Sequence, residues 1–304
     1  MESPSSQTSR LVLGTAQLGM QYGVANKTGQ PDFITAESIV AAAWENGVRE
    51  FDTAQAYGES EKVLGQALHS LGKSSDARII SKIHPETDHN RAESLRHAVE
   101  RSLENLKVPK LFALMLHKEA LLDLWDNGLG LGERLKAMVE DGLVEQLGIS
   151  VYSPELALSA LKSDGISMIQ IPSNLLDRRF EEAGVFSESE RQGKHVYVRS
   201  IFLQGLLLMD PGRLPDEVRF AAPTLKRVES LAKRNRLSRQ HLAIGYARMA
   251  YRKAKIVFGA ETVEQVRENI VNWKSSIPEE LPIVIQESFR DIDVKILSPD
   301  MWKL

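Results

Sequence analysis

Four titratable side chains stand at spacings that suit proton transfer. Asp52 follows the apolar Phe51 in the strand-like run 49–53, and Tyr57 comes five residues later. Lys82 lies at the end of the run 78–83, and His117 ends the run 111–117. An ordinary tyrosine has a pKa of about 10, too high for easy exchange near neutrality. An ammonium beside the phenol favours the phenolate, so Lys82 is expected to lower the Tyr57 pKa. A carboxylate at Asp52, paired with Lys82, would keep the ammonium charged and aimed. His117 would supply a hydrogen bond to a carbonyl oxygen. Taken singly, each residue has an ordinary explanation. An Asp at a strand end caps a turn, a Lys after an apolar run snorkels to solvent, and a lone His is a hydrogen-bonded structural residue. Three successive runs that end in different titratable groups, with a Tyr nearby, favour a joint role.

Positioning these groups requires a regular scaffold. Apolar runs at 11–15, 49–53, 78–83, 111–117, 144–150, 167–172, 195–200 and 255–259 read as strands. Helical periodicity fills the intervals, at 35–46 with Thr35 as N-cap, 60–71, 91–107, 131–142, 154–163, 180–192, 224–235, 238–252 and 262–273. Eight strands alternating with helices predict a parallel sheet covered by helices. The even spacing favours a closed (β/α)₈ barrel in one domain over residues 11–304, after a polar tail at 1–10. A doubly wound open sheet is the alternative. In a barrel, strands end at the rim that carries active sites. The stretch 203–223 is the longest without periodicity and reads as a lid or binding loop.

Composition narrows the partners. Lys plus Arg number 38 against 41 Asp plus Glu, a net charge of -3 that gives no reason to expect nucleic acid or an acidic membrane. The chain has no cysteine, which excludes disulfides and thiolate chemistry. The polar first ten residues lack the apolar core of a signal peptide, and the apolar runs are too short to span a bilayer. A soluble cytoplasmic protein is expected. His84 and His89 read as solvated loop residues rather than metal ligands. The glycines of 128–133 read as a flexible loop, since no strand precedes them.

The segment "FDTAQAYGESE", residues 51–61, resembles the "FDTAxxYGxSE" signature of the aldo-keto reductases. Phe51, Asp52, Thr53, Ala54, Tyr57, Gly58, Ser60 and Glu61 fall in register, and the resemblance runs from about Leu11 to Asn269. The opening "LGTAQLGMQYG", 13–23, is similar to a bacterial branch. The resemblance implies a (β/α)₈ barrel that reduces carbonyl compounds with NADPH. Tyr57 would be the general acid, Lys82 with Asp52 would tune it, and His117 would polarise the substrate carbonyl.

It also implies a cofactor site. The segment 257–269 matches the family's last strand, turn and nucleotide-binding helix, with Gly259, Glu261, Thr262, Gln265 and Asn269 in the matching places. Thr262 and Gln265 independently form a capping-box pattern, and free amides at that helix start suit a phosphate. Gln265 stands where an Arg for the 2′-phosphate is common, and Glu261 lies at the turn, so NAD(H) is an alternative to NADP(H). Arg199 occupies the place of a ring that stacks on nicotinamide, and a guanidinium plane can also stack. Ser200, Leu203 and Gly205 match the loop over the pyrophosphate, and Gln170 with Ser150 matches the carboxamide contacts. Gln17, Met20, Tyr22, Phe202 and Trp302 are candidate pocket walls for a small carbonyl substrate. Two other functions use the same barrel: a nicotinamide-binding regulatory subunit, and a phosphate-binding isomerase or lyase with a Glu base or a Schiff-base Lys.

Overall fold

The computed structural model describes residues 8–126 and 130–302. Eight strands close into a parallel barrel in sequence order. They are β1 Leu11–Gly14, β2 Glu50–Asp52, β3 Arg78–Ile83, β4 Leu111–Leu116, β5 Val144–Ser150, β6 Ile166–Pro172, β7 His195–Arg199 and β8 Lys255–Gly259. β8 pairs with β1 from Leu11↔Ile256 to Gly14↔Gly259, which excludes the open-sheet alternative. Ten helices of eight or more residues follow in turn among the described residues. They are α1 Phe33–Glu45, α2 Ser60–Ser70, α3 Ala92–Leu106, α4 Leu131–Glu140, α5 Pro154–Lys162, α6 Val185–Gln192, α7 Ala222–Arg234, α8 Arg239–Ala250, α9 Val263–Lys274 and α10 Leu281–Ser288.

Strand alternation sorts the side chains into two cores. Phe51, Ile79, Leu114 and Ile169 belong to the large layer between strands and helices. Val12, Ile80, Ala113, Met115, Met168, Tyr197 and Val257 form a second cluster inside the barrel. A residue two positions after an inward one faces inward again, one layer higher. By that count Lys82, His117, Gln170, Arg199 and Gly259 follow Ile80, Met115, Met168, Tyr197 and Val257 to the C-terminal rim. Asp52 follows Glu50 in the same way. Glu50, at the opposite end, accepts from the Tyr197 hydroxyl at 2.9 Å and from Lys255 Nζ at 2.7 Å.

Several boundaries differ from expectation for local reasons. α1 starts earlier, because Asp32 and not Thr35 is the N-cap: its carboxylate accepts from the Thr35 amide at 2.8 Å. The helix expected over 180–192 is split at Gly184, whose φ of 77° leaves the helical region. Helical residues begin at Leu131, so 131–133 are not a loop; residues 127–129 lie outside the described residues. Stretch 203–223 contains two 3₁₀ turns, Leu206–Leu208 and Asp216–Ala221, and buries Leu206, Leu207 and Val218. Of the expected tail, residues 1–7 lie outside the described residues. Thr8 is buried, and Arg10 donates to Ala254 and Arg248 carbonyls, so 8–10 belong to the barrel. His89 is buried, not solvated, because the loop folds back and Arg134 donates to its carbonyl. Among the described residues no helix is long and apolar enough to cross a membrane, and no cluster could hold a metal.

Candidate active site

The loop after β2 is built around Tyr57. The Tyr57 amide donates to the Ala54 carbonyl at 3.0 Å, and the Ser60 amide donates to the Tyr57 carbonyl at 3.0 Å. Gly58 has φ 56°, and a Cβ there would stand 2.4 Å from the Gly19 carbonyl oxygen. A Cβ on Gly19 would stand 2.1 Å from the Tyr57 carbonyl oxygen. The two glycines therefore let the loops after β1 and β2 touch and hold Tyr57 in place. Buried hydroxyls join the same loops: Ser60 Oγ lies 2.8 Å from Thr15 Oγ1 and 2.9 Å from Thr53 Oγ1. Ser81 donates to Glu61 at 2.6 Å, tying α2 to β3. Every polar position of the 51–61 signature thus has a bonding partner or a backbone role.

Beneath the loop, Lys82 is fully buried. Its Nζ donates to both Asp52 carboxylate oxygens, at 2.7 and 2.8 Å, and to the Thr53 carbonyl at 2.9 Å. An ammonium has three protons, so none is left for the Tyr57 hydroxyl. Asp52 Oδ1 also accepts from Gln170 Nε2 at 2.7 Å. Burial lowers the Lys82 pKa, opposed by its ion pair with Asp52.

This arrangement corrects the expectation that Lys82 lowers the Tyr57 pKa. The Tyr57 pKa is raised, first by burial and then by the Asp52 carboxylate. Lys82 is offset by its own counter-ion, so the pair offers Tyr57 little net positive charge. The cation that does act to lower it is Arg199. Lys82 Nζ lies 5.1 Å from the Tyr57 ring centroid, in reach of its π face. The His117 ring meets the Tyr57 ring edge to face, with centroids 5.5 Å apart. Burial, with Lys82 and Arg199 nearby, pushes His117 down to about 3, so its imidazole is neutral.

Asp52 and Tyr57 line one end of a cleft of about 340 Å³. Of the other sequence candidates, Arg199, Ser200, Gly205, Gly259, Glu261, Gln265 and Asn269 line it too. Gln17, Tyr22 and Phe202 also line it, whereas Met20 and Trp302 do not. Trp302 is instead buried, with its indole N–H on the Lys295 carbonyl at 2.8 Å. Lys82 and Gln170 lie below the surface with no exposure, and Ser150 pairs in register with Gln170. His117 contributes through Tyr57 rather than to the lining itself. Leu203 is buried and Thr262 serves as the N-cap of α9, accepting from the Gln265 amide at 3.2 Å.

Two further features shape the cleft beyond Tyr57. After β7, Ser200, Leu203 and Gln204 have φ of 62°, 51° and 53°, and Gly205 has 89°. Left-handed non-glycine residues cost about 1–3 kcal/mol each and gather where backbone is shaped for function. A Cβ on Gly205 would stand 2.5 Å from the Ala25 methyl, so the turn closes tightly on the loop after β1. Near α9, Gln265 Oε1 accepts from the amide of Glu261, the residue before the N-cap, at 2.7 Å. Burial raises the Glu261 carboxyl pKa. Asn269 is buried and accepts from Gln240 Nε2 at 2.8 Å.

Gln240, Gln204, Glu268 and Tyr152 escaped the sequence reading. Glu268 had a signal, since 261, 265 and 268 recur at helical spacing. Tyr152 had none: its ring lies under the Arg199 guanidinium, 4.4 Å from centroid to Cζ, across two strand ends.

A closed (β/α)₈ barrel with a buried Lys–Asp pair, a Tyr and a His at its C-terminal rim defines the class. The model of the aldo/keto reductase family matches residues 10–281, and the chain belongs to that family of oxidoreductases, which use nicotinamide cofactors. The uncharacterized oxidoreductase YqkF of Bacillus subtilis (strain 168) is 26% identical over 304 residues, 92% of this chain and 96% of the relative. Pyridoxal 4-dehydrogenase of Microbacterium luteolum is 23% identical over 323 residues, 89% of this chain and 91% of the relative. Aldo-keto reductase AKR11C1 from Bacillus halodurans, in its holo form, superposes with a TM-score of 0.74 at 24% identity, over 92% of this chain and 91% of that one, a likeness of fold.

Proposed function

We propose that the protein reduces a small carbonyl compound with a nicotinamide cofactor, and that Tyr57 is the general acid. The observation that carries the reading is the meeting of Tyr57 with His117 and the Lys82–Asp52 pair at one end of a cleft that reaches α9. Residues in and beneath the cleft support a cofactor there. Gln170 Oε1 is a buried acceptor with no partner among the described residues, of the kind a carboxamide N–H₂ needs. Ser150 lies beside it. Arg199, Ser200, Leu203 and Gly205 would shape the wall toward the nicotinamide and pyrophosphate. Gly259, Glu261, Thr262, Gln265 and Asn269 would hold the adenosine end. When bound, the reduced nicotinamide supplies the two electrons and the hydrogen that the carbonyl carbon takes up.

The chain's own residues supply the proton and the geometry. A raised pKa keeps Tyr57 protonated at neutral pH, the form a general acid needs. The proton leaves only when the substrate oxygen becomes an alkoxide, a stronger base than a phenolate. His117, being neutral, can donate one N–H toward that oxygen without adding charge. The Lys82–Asp52 pair fixes the floor on which Tyr57 rests. Positioned proton transfer contributes about 10²–10⁴-fold, so orientation must supply the rest.

NADP(H) is the cofactor the family resemblance suggests. One observation favours NAD(H) as a second reading: Glu261 and Glu268 both line the adenosine end, and Gln265 is engaged in its cap. Carboxylates repel a 2′-phosphate and accept from a 2′-hydroxyl. A Schiff-base role for Lys82 is disfavoured, because its amine is buried and fully bonded. The test is to mix the protein with NADPH or NADH and a panel of aldehydes and ketones and to follow loss of the reduced cofactor. No consumption of either with any carbonyl, despite cofactor binding, would refute the reductase reading.

A further inference from the structure

Arg199 has hydrogen-bonding capacity that the described residues do not use. It ends β7 at the catalytic rim and lines the cleft with Tyr57 and Tyr22. One face of its guanidinium lies on the Tyr152 ring. Nη1 donates to Ser200 Oγ at 3.2 Å. Nη2 is buried and has no acceptor among the described residues. No carboxylate of the described residues lies within 4.0 Å of the group, since the ion pairs found there do not include it. Neighbouring Lys82, by contrast, has all three of its protons engaged.

A buried charged donor left without an acceptor is costly, and proteins keep one where a ligand completes it. The rest of the surroundings suit an anion. Tyr22 and Tyr57 are both held protonated, Tyr22 with a pKa pushed up to about 12 by burial, so neither phenol competes as a negative charge at neutral pH. Three carboxylates line the cleft: Asp52, beside Tyr57, is paired with the Lys82 ammonium, and Glu261 and Glu268 lie toward α9. Tyr152 is half exposed and covers one face of the guanidinium, while Arg199 itself lines the cleft. Arginine is suited to this task, because a planar fork of N–H groups matches the two oxygens of a carboxylate.

We infer that the substrate is a carbonyl compound that also carries a carboxylate, and that Arg199 receives this carboxylate through Nη2 while its plane stays on Tyr152. This rests on the reductase reading for the word substrate. The anion site itself rests on the geometry of Arg199 alone. Loss of a charge-assisted hydrogen bond should make a neutral analogue bind about tenfold or more weakly.

Calorimetry with benzoate and with benzamide, an isosteric neutral probe, measures the site without turnover. Benzoate should bind the wild-type protein about tenfold more tightly than benzamide, and the difference should vanish in Arg199→Leu and in Arg199→Gln. The second variant keeps a polar side chain in case the first does not fold. Equal binding of the two probes by wild type would overturn the inference, as would an undiminished preference in a folded variant. The same titration on protein saturated with NADH and with NADPH separates two sources of an anion. Retained benzoate binding assigns the site to substrate, whereas displacement by cofactor would assign Arg199 to the cofactor and overturn the proposal. In turnover, the kcat/KM ratio of 4-carboxybenzaldehyde to 4-methylbenzaldehyde should fall by about tenfold in either variant. Benzoate binding through Arg199 with reduction of neither aldehyde would leave the anion site standing and remove the reductase reading.

Discussion

The Tyr57 and His117 rings stand nearly perpendicular, at 84°, with the edge of one against the face of the other. This packing desolvates the imidazole and, with Lys82 and Arg199 nearby, lowers its pKa from 6.5 to about 3. Between those values the unfolded chain binds a proton at this position that the folded chain does not. Stability from this side chain is therefore fully present above the unfolded pKa of 6.5 and is lost as pH falls toward about 3. His117→Gln should make unfolding in urea less sensitive to pH across that window. An acid limb of unchanged steepness would show that His117 titrates normally.

Tyr57→Phe removes one hydroxyl and keeps the ring that packs on His117. Carbonyl reduction should fall by about 10²–10⁴-fold in kcat. Cofactor affinity, followed by quenching of protein fluorescence, should survive. Turnover like that of the wild type would require another proton donor.

Lys82 and Asp52 are a buried pair in direct contact, 2.7 Å apart. Removing one partner strands the other, a loss of about 3–5 kcal/mol. Lys82→Met and Asp52→Asn should each lower the midpoint of chemical unfolding more than the double variant does. Additive losses in the double variant would mean that the two charges do not compensate each other.

The cleft near α9 is lined by Glu261 and, four residues on, Gln265. Glu261→Lys and Gln265→Arg should each raise the ratio of kcat/KM for NADPH over NADH. A cation replaces repulsion of the 2′-phosphate in one case and adds a forked donor in the other. Arginine at 265 also removes the acceptor of the Glu261 amide, so that variant should melt at a lower temperature. If neither variant shifts the cofactor ratio, α9 does not hold the adenosine.

Strand periodicity and helix caps made the barrel legible. The eight runs at even spacing correspond to the eight strands, and the inward parity of Ile80 and Met115 carries to Lys82 and His117. Boundaries slipped where two capping residues competed, as at Asp32 and Thr35, or where a glycine broke a helix, as at Gly184. The sequence predicts a Tyr57 pKa lowered by Lys82, whereas in the fold burial and the Asp52 carboxylate raise it, an effect that a pairwise charge rule does not contain. A lysine next to a tyrosine in sequence logic becomes, once folded, an ammonium with no proton to spare and a carboxylate at its side. Trp302 and Met20 were misplaced as pocket walls because an aromatic or apolar side chain carries no label for which surface it covers.

Residue types, alternation and spacing determined which groups could take part: a carboxylate, a phenol, an ammonium and an imidazole, each tied to the end of a strand or the loop after it. Those are local properties of the chain. The protonation states, the unused Nη2 of Arg199 on the Tyr152 ring and the closure of Gly19 on Gly58 were decided by tertiary structure. They depend on desolvation and on contacts between segments far apart in sequence, which no local pattern encodes.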